Sequence, residues 1–281
     1  MNHRATTWSP VDDVDLRQAH ARLEGHSFAH RLSTGIGTPI EKGLKLLPRP
    51  WHRAMQRSAE KAAWRALECA AWGLERKERG LADFGYRLAG IAAGAAGGFF
   101  GGAAVMVESA LTTLVMLRSI ADIARAEGER LDDPRSRLAC LEVFALGGRR
   151  SPGDVADLGY FGLRFALEAP VSGAARFIAE HGVAGAAGAA GSPPLVEFMA
   201  VVSRRLGVTL SEKAAATIVP FIGAAGGAFV NGVFIQHFQD VARGHFTIRR
   251  LERKFGHRDV QEKYHQLSQA SAPLLVYPLA A

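Results

Sequence analysis

Helical patterning without any strand pattern is the feature that most restricts the fold of this 281-residue chain. No region shows the sustained alternation of apolar and polar residues that marks a half-buried strand. Helix start signals recur instead, in the form of a capping residue beside a proline or of a proline pair. These signals stand at Ser9-Pro10, Asp133-Pro134, Ser151-Pro152 and Pro193-Pro194, and Ser211 is interpreted as a further start. The sequence therefore predicts an all-α fold, a compact multi-helix bundle.

The helical segments and the breaks between them predict an order of elements. We expect helices over residues 10–33, 51–79, 103–127, 135–147, 153–180, 194–206 and 210–254. Residues 34–50 are rich in glycine and proline and are interpreted as a linker, and the Ala/Gly run 181–192 as a loop. After Gly256 the chain is polar. The predicted organisation is an N-terminal helix and linker (1–50), a helical domain (51–265) and a C-terminal tail (266–281).

Two glycine-rich runs predict close helix packing. The motif GAAGG at 94–98 recurs at 223–227, which predicts two glycine-rich central helices in contact. Glycines inside a helix cost about 0.5–1 kcal/mol each relative to alanine, so a close partner has to offset them. The packing positions are Gly90, Gly94, Gly98, Gly102, Gly223 and Gly227. A glycine-broken loop at 97–102 stays open, and the abundance of Ala and Gly makes membrane insertion of these runs only weakly favourable.

The charge balance favours acidic partners. The chain has 34 basic and 27 acidic residues, a formal net charge of +7 and a pI near 9.8. Positive charge suits both anionic lipid and nucleic acid. Because no recognised nucleic-acid-binding motif accompanies the charge, anionic lipid is the favoured partner. Two basic clusters are candidates for lipid binding: Arg53, Arg57, Lys61 and Arg65, spaced four residues apart, and Arg249, Arg250, Arg253 and Lys254.

The first of these clusters has two interpretations. On a helix, four-residue spacing gives a slowly turning stripe, while Trp51, Trp64 and Trp72 lie on other faces. A core helix with a solvated edge is the more favoured interpretation. An interfacial helix that lies on anionic lipid is the other.

The cysteines and the N-terminal segment indicate a compartment. Cys69 and Cys140 both lie in apolar helical patterns and are expected to be free buried thiols in a reducing environment. The first 20 residues are polar and contain no apolar stretch of the kind found in a signal peptide. We therefore expect a cytoplasmic protein.

A polar stripe marks the helix predicted over 103–127. Glu108, Thr112, Ser119 and Asp122 fall within one sector of the helix, beside Arg118. The ordinary interpretation is a solvated face on which Arg118 and Asp122 form an ion pair. If the stripe is buried, its carboxylates must be paired, and it becomes a functional candidate.

His237 and Asp240 provide the remaining candidates for chemistry. With Glu108 they form the best acid–base or metal-binding group, although no metal site is predicted and no cofactor is assigned. His245 is eight residues from His237, about 12 Å along a helix, so one ion could not reach both unless Gly244 broke the helix. The candidate catalytic residues are Glu108, Thr112, Arg118, Asp122, His237 and Asp240. Zincin, P-loop, Rossmann and α/β-hydrolase motifs are all missing from the sequence.

Two stretches carry a family resemblance. The run ESALTTLVMLRSIADIARAEGERLDDPRSRLACLEVFALGG at 108–148 resembles the EcsC family of bacterial proteins, and HFQDVARGHFTIRRLERKFG at 237–256 fits it as well. The resemblance covers about residues 55–265 and leaves 1–50 outside; Ala110 stands where the family is expected to have proline. The family takes its name from a gene beside those of an ABC transporter. The resemblance implies membrane association without an established activity.

Three hypotheses about function follow. The first is a cytoplasmic protein, peripheral to the inner membrane, that binds anionic lipid or a membrane protein; homo-oligomerisation stays open. The second is a hydrolase or metal-dependent enzyme that acts on a membrane-derived substrate through Glu108, His237 and Asp240. The third is an adaptor that contacts a transporter.

Overall fold

Nine α-helices form the part of the chain that a computed structural model describes. The described residues are 7–25, 27–36, 44, 49–72, 102–148, 159–188, 193–218 and 223–271, with side chains except at 36, 49, 70–72, 102–111, 183–188, 217–218, 223–226 and 271. The helices are α1 (Pro10–Leu23), α2 (Phe28–Ile36), α3 (Arg49–Trp72), α4 (Gly102–Ala126), α5 (Pro134–Leu146), α6 (Gly159–Gly188), α7 (Pro193–Ile218), α8 (Gly223–Phe255) and α9 (His257–Ser271). These ranges contain no strand. The all-α prediction is confirmed.

Local capping chemistry fixes the predicted helix starts. The Ser9 hydroxyl accepts from the Asp12 amide, and the Asp12 carboxylate accepts from the Ser9 amide, so α1 begins with a capping box. The Asp133 carboxylate accepts from the Arg135 amide at the start of α5. Both starts were predicted from the sequence.

The prediction of one helix over 10–33 is wrong, because the chain turns between α1 and α2. Glu24 caps the C-terminus of α1, and the Gly25 position lies so close to the Ala21 carbonyl that a side chain there would collide with it. The Glu24 carboxylate accepts from the Tyr160 amide and the Tyr264 hydroxyl. Distant partners therefore fix the turn.

The predicted boundary near 206–210 is also wrong, since α7 continues through it. The Thr209 hydroxyl donates to the Arg205 carbonyl, and the Ser211 hydroxyl donates to the Gly207 carbonyl. A hydroxyl that donates to a carbonyl one turn earlier in the same helix does not cap a helix N-terminus, so Ser211 does not begin a new helix. The chain is instead helical to Ile218 and again from Gly223.

Two further segments are more helical than predicted. Residues 183–188 of the expected Ala/Gly loop belong to α6, beyond a break at Gly182, where φ is 69°. The polar segment after Gly256 forms α9, which buries Val260 and Tyr264. Gly256 adopts φ 94°, a conformation that glycine tolerates best, and this separates α8 from α9.

Two hydrophobic clusters hold the described helices together. In the main cluster α3 packs most extensively against α7 and α4, and α8 contributes Phe234, Phe238 and Phe246. In the smaller cluster Leu16 and Ala19 of α1 pack with residues of α6, α8 and α9. The first and last described helices thus belong to one structural unit.

Most of the predicted glycine contacts involve Gly90, Gly94 and Gly98, which lie outside the described residues. Gly102 and Gly223 begin α4 and α8, and Gly227 is buried. The zipper between the two GAAGG motifs therefore stays a prediction, as does the division of the chain at residues 50 and 265.

The cysteines are free, and burial raises the pKa of the Cys140 thiol to about 12.

Candidate functional site

The outer face of α3 displays the predicted basic stripe. Arg53, Arg57, Lys61 and Arg65 are all exposed. The opposite face is buried, because Met55, Ala59, Ala63, Ala66 and Leu67 belong to the main core cluster. Glu60 and Glu68 are exposed on the same helix and reduce the positive charge of this surface. The stripe is nevertheless a solvent-facing cationic surface on a helix that the core holds in place.

The tryptophans of α3 contribute less to this surface than the stripe does. Trp51 and Trp64 are half-buried and pack against the main core cluster. The side chain of Trp72 lies outside the described residues. Much of the apolar surface of Trp51 and Trp64 is therefore used inside the protein.

The second basic cluster, on α8, lies in ion pairs. Arg249 pairs with Glu129 at 2.8 Å, and Arg253 pairs with the same carboxylate. Arg250 bridges Glu127 and Asp15, and Lys254 pairs with Asp12 at 2.8 Å. The predicted lipid-binding cations of α8 thus meet carboxylates of α1 and of the chain just after α4.

Glu129 is the centre of this network and forms part of a surface cleft. Burial opposes ionisation of its carboxyl, but hydrogen bonds and charge from Arg249, with further help from Ser136 and Arg253, outweigh burial and lower its pKa from 4.5 to about 2. The cleft has a volume of about 380 Å³, and three cations and three carboxylates line it: Arg130, Arg249, Arg253, Glu129, Asp133 and Glu252. Its formal charges balance, so the cleft has no clear preference for an anion.

The polar stripe of α4 is not uniformly solvated. Thr112 and Ser119 are buried, and the Ser119 hydroxyl accepts from the amide of Gln239 at 2.8 Å. Asp122 is half-buried and pairs with Arg125 at 2.6 Å, whereas Arg118 is exposed. The side chain of Glu108 lies outside the described residues.

His237 and Asp240 lie one turn apart on α8 and bond to different partners. His237 donates from Nε2 to the Gly147 carbonyl at 2.8 Å, and burial lowers the pKa of its imidazole to about 4. The Asp240 carboxylate accepts from Arg31 at 2.7 Å and from the amide of Gln236 at 3.0 Å. His237 therefore acts as a neutral core histidine, and Asp240 as an ion-pair partner of α2.

A buried cluster around His245 was not assembled from the sequence. His245 and the Tyr160 hydroxyl share a hydrogen bond of 2.9 Å, and His245 Nε2 lies 3.8 Å from a carboxylate oxygen of Glu142. Burial lowers the pKa of His245 well below 6.5 and raises the pKa of Glu142. Helix α8 continues unbroken through Gly244, so His237 and His245 lie in separate environments. Tyr160 is 85 positions from His245, and no local pattern signals the pairing.

Two kinds of site are missing from the described part of the chain. Among those residues, no group of three or more His, Cys, Asp or Glu side chains is placed to hold a metal ion. None of the described helices combines the length and hydropathy that a membrane span requires.

Together these features define an all-helical protein with an exposed cationic face on α3 and a set of buried polar clusters. The model of the EcsC protein family matches residues 15–251, most of the chain, and the protein belongs to this family. The match begins within α1, upstream of the start near residue 55 inferred from the sequence motifs. No curated protein and no solved structure matches the chain.

Proposed function

We propose that this EcsC family protein binds reversibly to anionic membrane surfaces through the exposed face of α3. The supporting observation is that Arg53, Arg57, Lys61 and Arg65 all face solvent while the other side of the helix is anchored in the core. A rigid helix can bring several cations to a flat anionic surface without ordering a flexible segment first. Each cation near such a surface contributes about 1 kcal/mol.

The contrast with α8 supports the choice of α3. The cations of α8 have protein carboxylates as partners, so lipid phosphates would have to displace those carboxylates. No such displacement is needed to expose the stripe on α3. Lipid binding through the α8 cluster itself stays a prediction.

The membrane surface that we propose is the cytoplasmic face of the inner membrane. The two cysteines are free thiols, which is typical of a reducing compartment. The cytoplasmic leaflet carries anionic lipid and attracts polybasic surfaces. A peripheral arrangement needs only the exposed helix face.

Flotation with lipid vesicles tests this proposal. The full chain should float with phosphatidylcholine vesicles that contain phosphatidylglycerol, and binding should fall as salt rises, because salt screens exposed charges. Replacing Arg53, Arg57, Lys61 and Arg65 with glutamine should remove up to about 4 kcal/mol, a loss of up to about a thousandfold in partitioning. Glu60 and Glu68 lie nearby, so the measured loss should be smaller than this limit.

A charge-matched variant is the control. Arg17, Arg135, Arg176 and Arg258 are exposed on α1, α5, α6 and α9, and their replacement with glutamine changes the net charge by the same amount. This variant should keep most of the binding. Equal losses of binding in both variants would show that only the net charge matters. Flotation on pure phosphatidylcholine that resists salt would show that the protein binds by hydrophobic insertion and not by electrostatic attraction.

A further inference from the structure

The first two turns of α1 are inverted with respect to an ordinary surface helix. Asp12 is only 3% exposed, whereas Val11 and Val14 are 68% and 50% exposed. Amphipathic surface helices normally turn their apolar face to the protein and their charges to water. Here the Asp12 carboxylate faces the protein and the valines face solvent, so burial of apolar side chains does not hold residues 10–15, which make up these turns; Leu16 is the first buried apolar residue of α1.

Charge holds it instead. Asp12 pairs with Lys254 at 2.8 Å, Asp13 with Lys263 at 2.9 Å, and Asp15 with Arg250 at 2.8 Å. An aromatic contact just before α1 adds to these pairs: the rings of Trp8 and Phe255 stack with their centroids 4.1 Å apart, and the Lys263 ammonium lies 4.2 Å from the Trp8 ring centroid. The cations of α8 and α9 thus bind three carboxylates of α1 much as they would bind an external anionic surface.

The second half of α1, from Leu16 onward, is anchored differently. Leu16 and Ala19 are buried in the smaller hydrophobic cluster, and His20 bonds to Ser268 of α9 at 2.9 Å. The ion pairs of the first half involve cations that are 35–44% exposed, so salt and competing anions reach them. The first half can therefore separate from α8 and α9 while the second half stays in place.

We propose that the first two turns of α1 cover a second binding surface for anionic lipid, formed by Arg250, Lys254 and Lys263. On an anionic bilayer, lipid phosphates replace the carboxylates of Asp12, Asp13 and Asp15, and the released turns place Val11 and Val14 at the interface. The outward valines favour a bilayer over a soluble acidic peptide, because a bilayer accommodates both cations and apolar side chains. The inference depends on the proposed function for the identity of this partner.

Neutralising the covering carboxylates tests the inference. The variant Asp12→Asn, Asp13→Asn, Asp15→Asn should bind vesicles containing phosphatidylglycerol about tenfold more strongly than the wild type, because Lys254 and Lys263 lose their carboxylate partners and Arg250 keeps only Glu127. Binding to phosphatidylcholine alone should not change. The variant Asp13→Asn, Asp15→Asn keeps the capping box of Ser9 and Asp12 and the pair between Asp12 and Lys254, and it should show a smaller gain than the triple variant. A cooperative thermal unfolding transition checks that this variant is folded.

Removing three carboxylates also raises the net charge, so the control changes charge equally. Glu168, Glu180 and Glu197 are exposed on α6 and α7. Their replacement with glutamine should raise vesicle binding far less than the triple asparagine variant does. An equal rise in the two triple variants would overturn the inference and leave only a net-charge effect.

The cations themselves supply the second test. Adding Arg250→Gln, Lys254→Gln and Lys263→Gln to the triple asparagine variant should abolish the gain, and a gain that persists would overturn the inference. Hydrogen exchange of the wild type should show protection lost at residues 13–16, but kept at 20–23, when phosphatidylglycerol vesicles are added. The glutamine variant of the α3 stripe tests the proposed function separately, since it leaves α1 and its ion pairs intact.

Discussion

At the scale of single residues, the buried carboxylate of Glu129 has several hydrogen-bond donors. Its side chain is 3% exposed, and it accepts from Arg249, Arg253 and the Ser136 hydroxyl. These bonds join α8 to the start of α5 and to the segment between α4 and α5. Glu129 is therefore an electrostatic link between three elements.

Replacing Glu129 with glutamine should lower the free energy of unfolding by about 2–4 kcal/mol, because two guanidinium groups lose their carboxylate while they remain near each other. Urea denaturation at pH 7 measures the loss. Glu262→Gln is the matched control: Glu262 pairs with Arg258 at 3.0 Å on the surface, and such pairs contribute about 0–1 kcal/mol. Similar losses in both variants would contradict the role given to Glu129.

The same variant has a defined pH dependence. The pKa of Glu129 is lowered from 4.5 to about 2, so its ionised form stabilises the fold above pH 4.5, and this contribution disappears as pH falls towards 2. The difference between wild type and Glu129→Gln should therefore be largest near neutrality and close progressively below pH 4.5. A difference that grows on acidification would contradict this sign.

The pairing of these residues could not be predicted from the sequence. Arg249 and Glu129 are 120 positions apart, and Lys254 and Asp12 are 242 apart. Local spacing indicates that cations share a helix face, as it did for the stripe on α3. It contains no information about which distant carboxylates a fold brings to that face.

At the scale of elements, Gly244 determines how closely α1 approaches α8. A methyl group at this position would lie 2.7 Å from Cγ of Leu23 and 3.2 Å from the Ala19 carbonyl oxygen. Only glycine lets the two helices meet at this distance. The sequence analysis considered a helix break at Gly244 only as the condition for one ion to reach both His237 and His245; in the structure Gly244 allows close packing.

Gly244→Ala should destabilise the protein by about 1–3 kcal/mol through overpacking, although the higher helix propensity of alanine offsets about 1 kcal/mol. Thermal or urea unfolding measures the loss. In a Leu23→Ala background the same substitution should cost much less, because the colliding side chain is shorter. Equal losses of stability in the two backgrounds would show that the cost of Gly244→Ala does not come from a collision with Leu23.

The predicted helix limits are correct where residues adjacent in sequence fix the limit, and wrong where distant residues fix it. The starts at Ser9 and Asp133 were predicted because a cap and its amide partners are adjacent in sequence. The turn at Glu24 was missed because Tyr160 and Tyr264 hold it. Ser211 was misinterpreted because a serine can bond back along its own helix as well as cap one.

At the scale of the whole molecule, two buried neutral histidines make the fold sensitive to acid. Burial lowers the pKa of His237 from 6.5 to about 4 and lowers that of His245 well below 6.5. Both groups take up a proton more readily when the chain unfolds, so the stability that depends on their neutral forms is present above pH 6.5 and is lost below it.

The free energy of unfolding should therefore decline as pH falls from about 6.5 to about 4. His237→Gln, which keeps an amide donor near the Gly147 carbonyl, should give a shallower decline. Urea titrations at several pH values compare the slopes. An identical slope in wild type and variant would show that His237 does not contribute. Burial raises the pKa of Glu142, so this group favours the folded state as pH falls, opposite to the histidines. Its contribution is the same in the wild type and in His237→Gln.

The sequence predicted the helical class and the exposed stripe, because both depend on patterns within a single helix. It did not predict the cluster of His245, Tyr160 and Glu142, which requires three helices to be in place. His237 and Asp240 were grouped as catalytic candidates because they lie three positions apart on one helix, and the structure gives them different partners. Candidate chemistry in this fold depends on tertiary contacts.

The contact between α1 and the last two helices has a consequence for biosynthesis. Glu24 and Tyr264, whose side chains bond to each other, are 240 positions apart. At about 5–20 residues per second, the ribosome needs roughly 12–48 s to translate that distance. During this interval α1 has emerged but the surface on which it docks has not been made. Helix α1 is synthesised before the other described helices but reaches its final position only after α8 and α9 have been made, and its three aspartates stay in water until then.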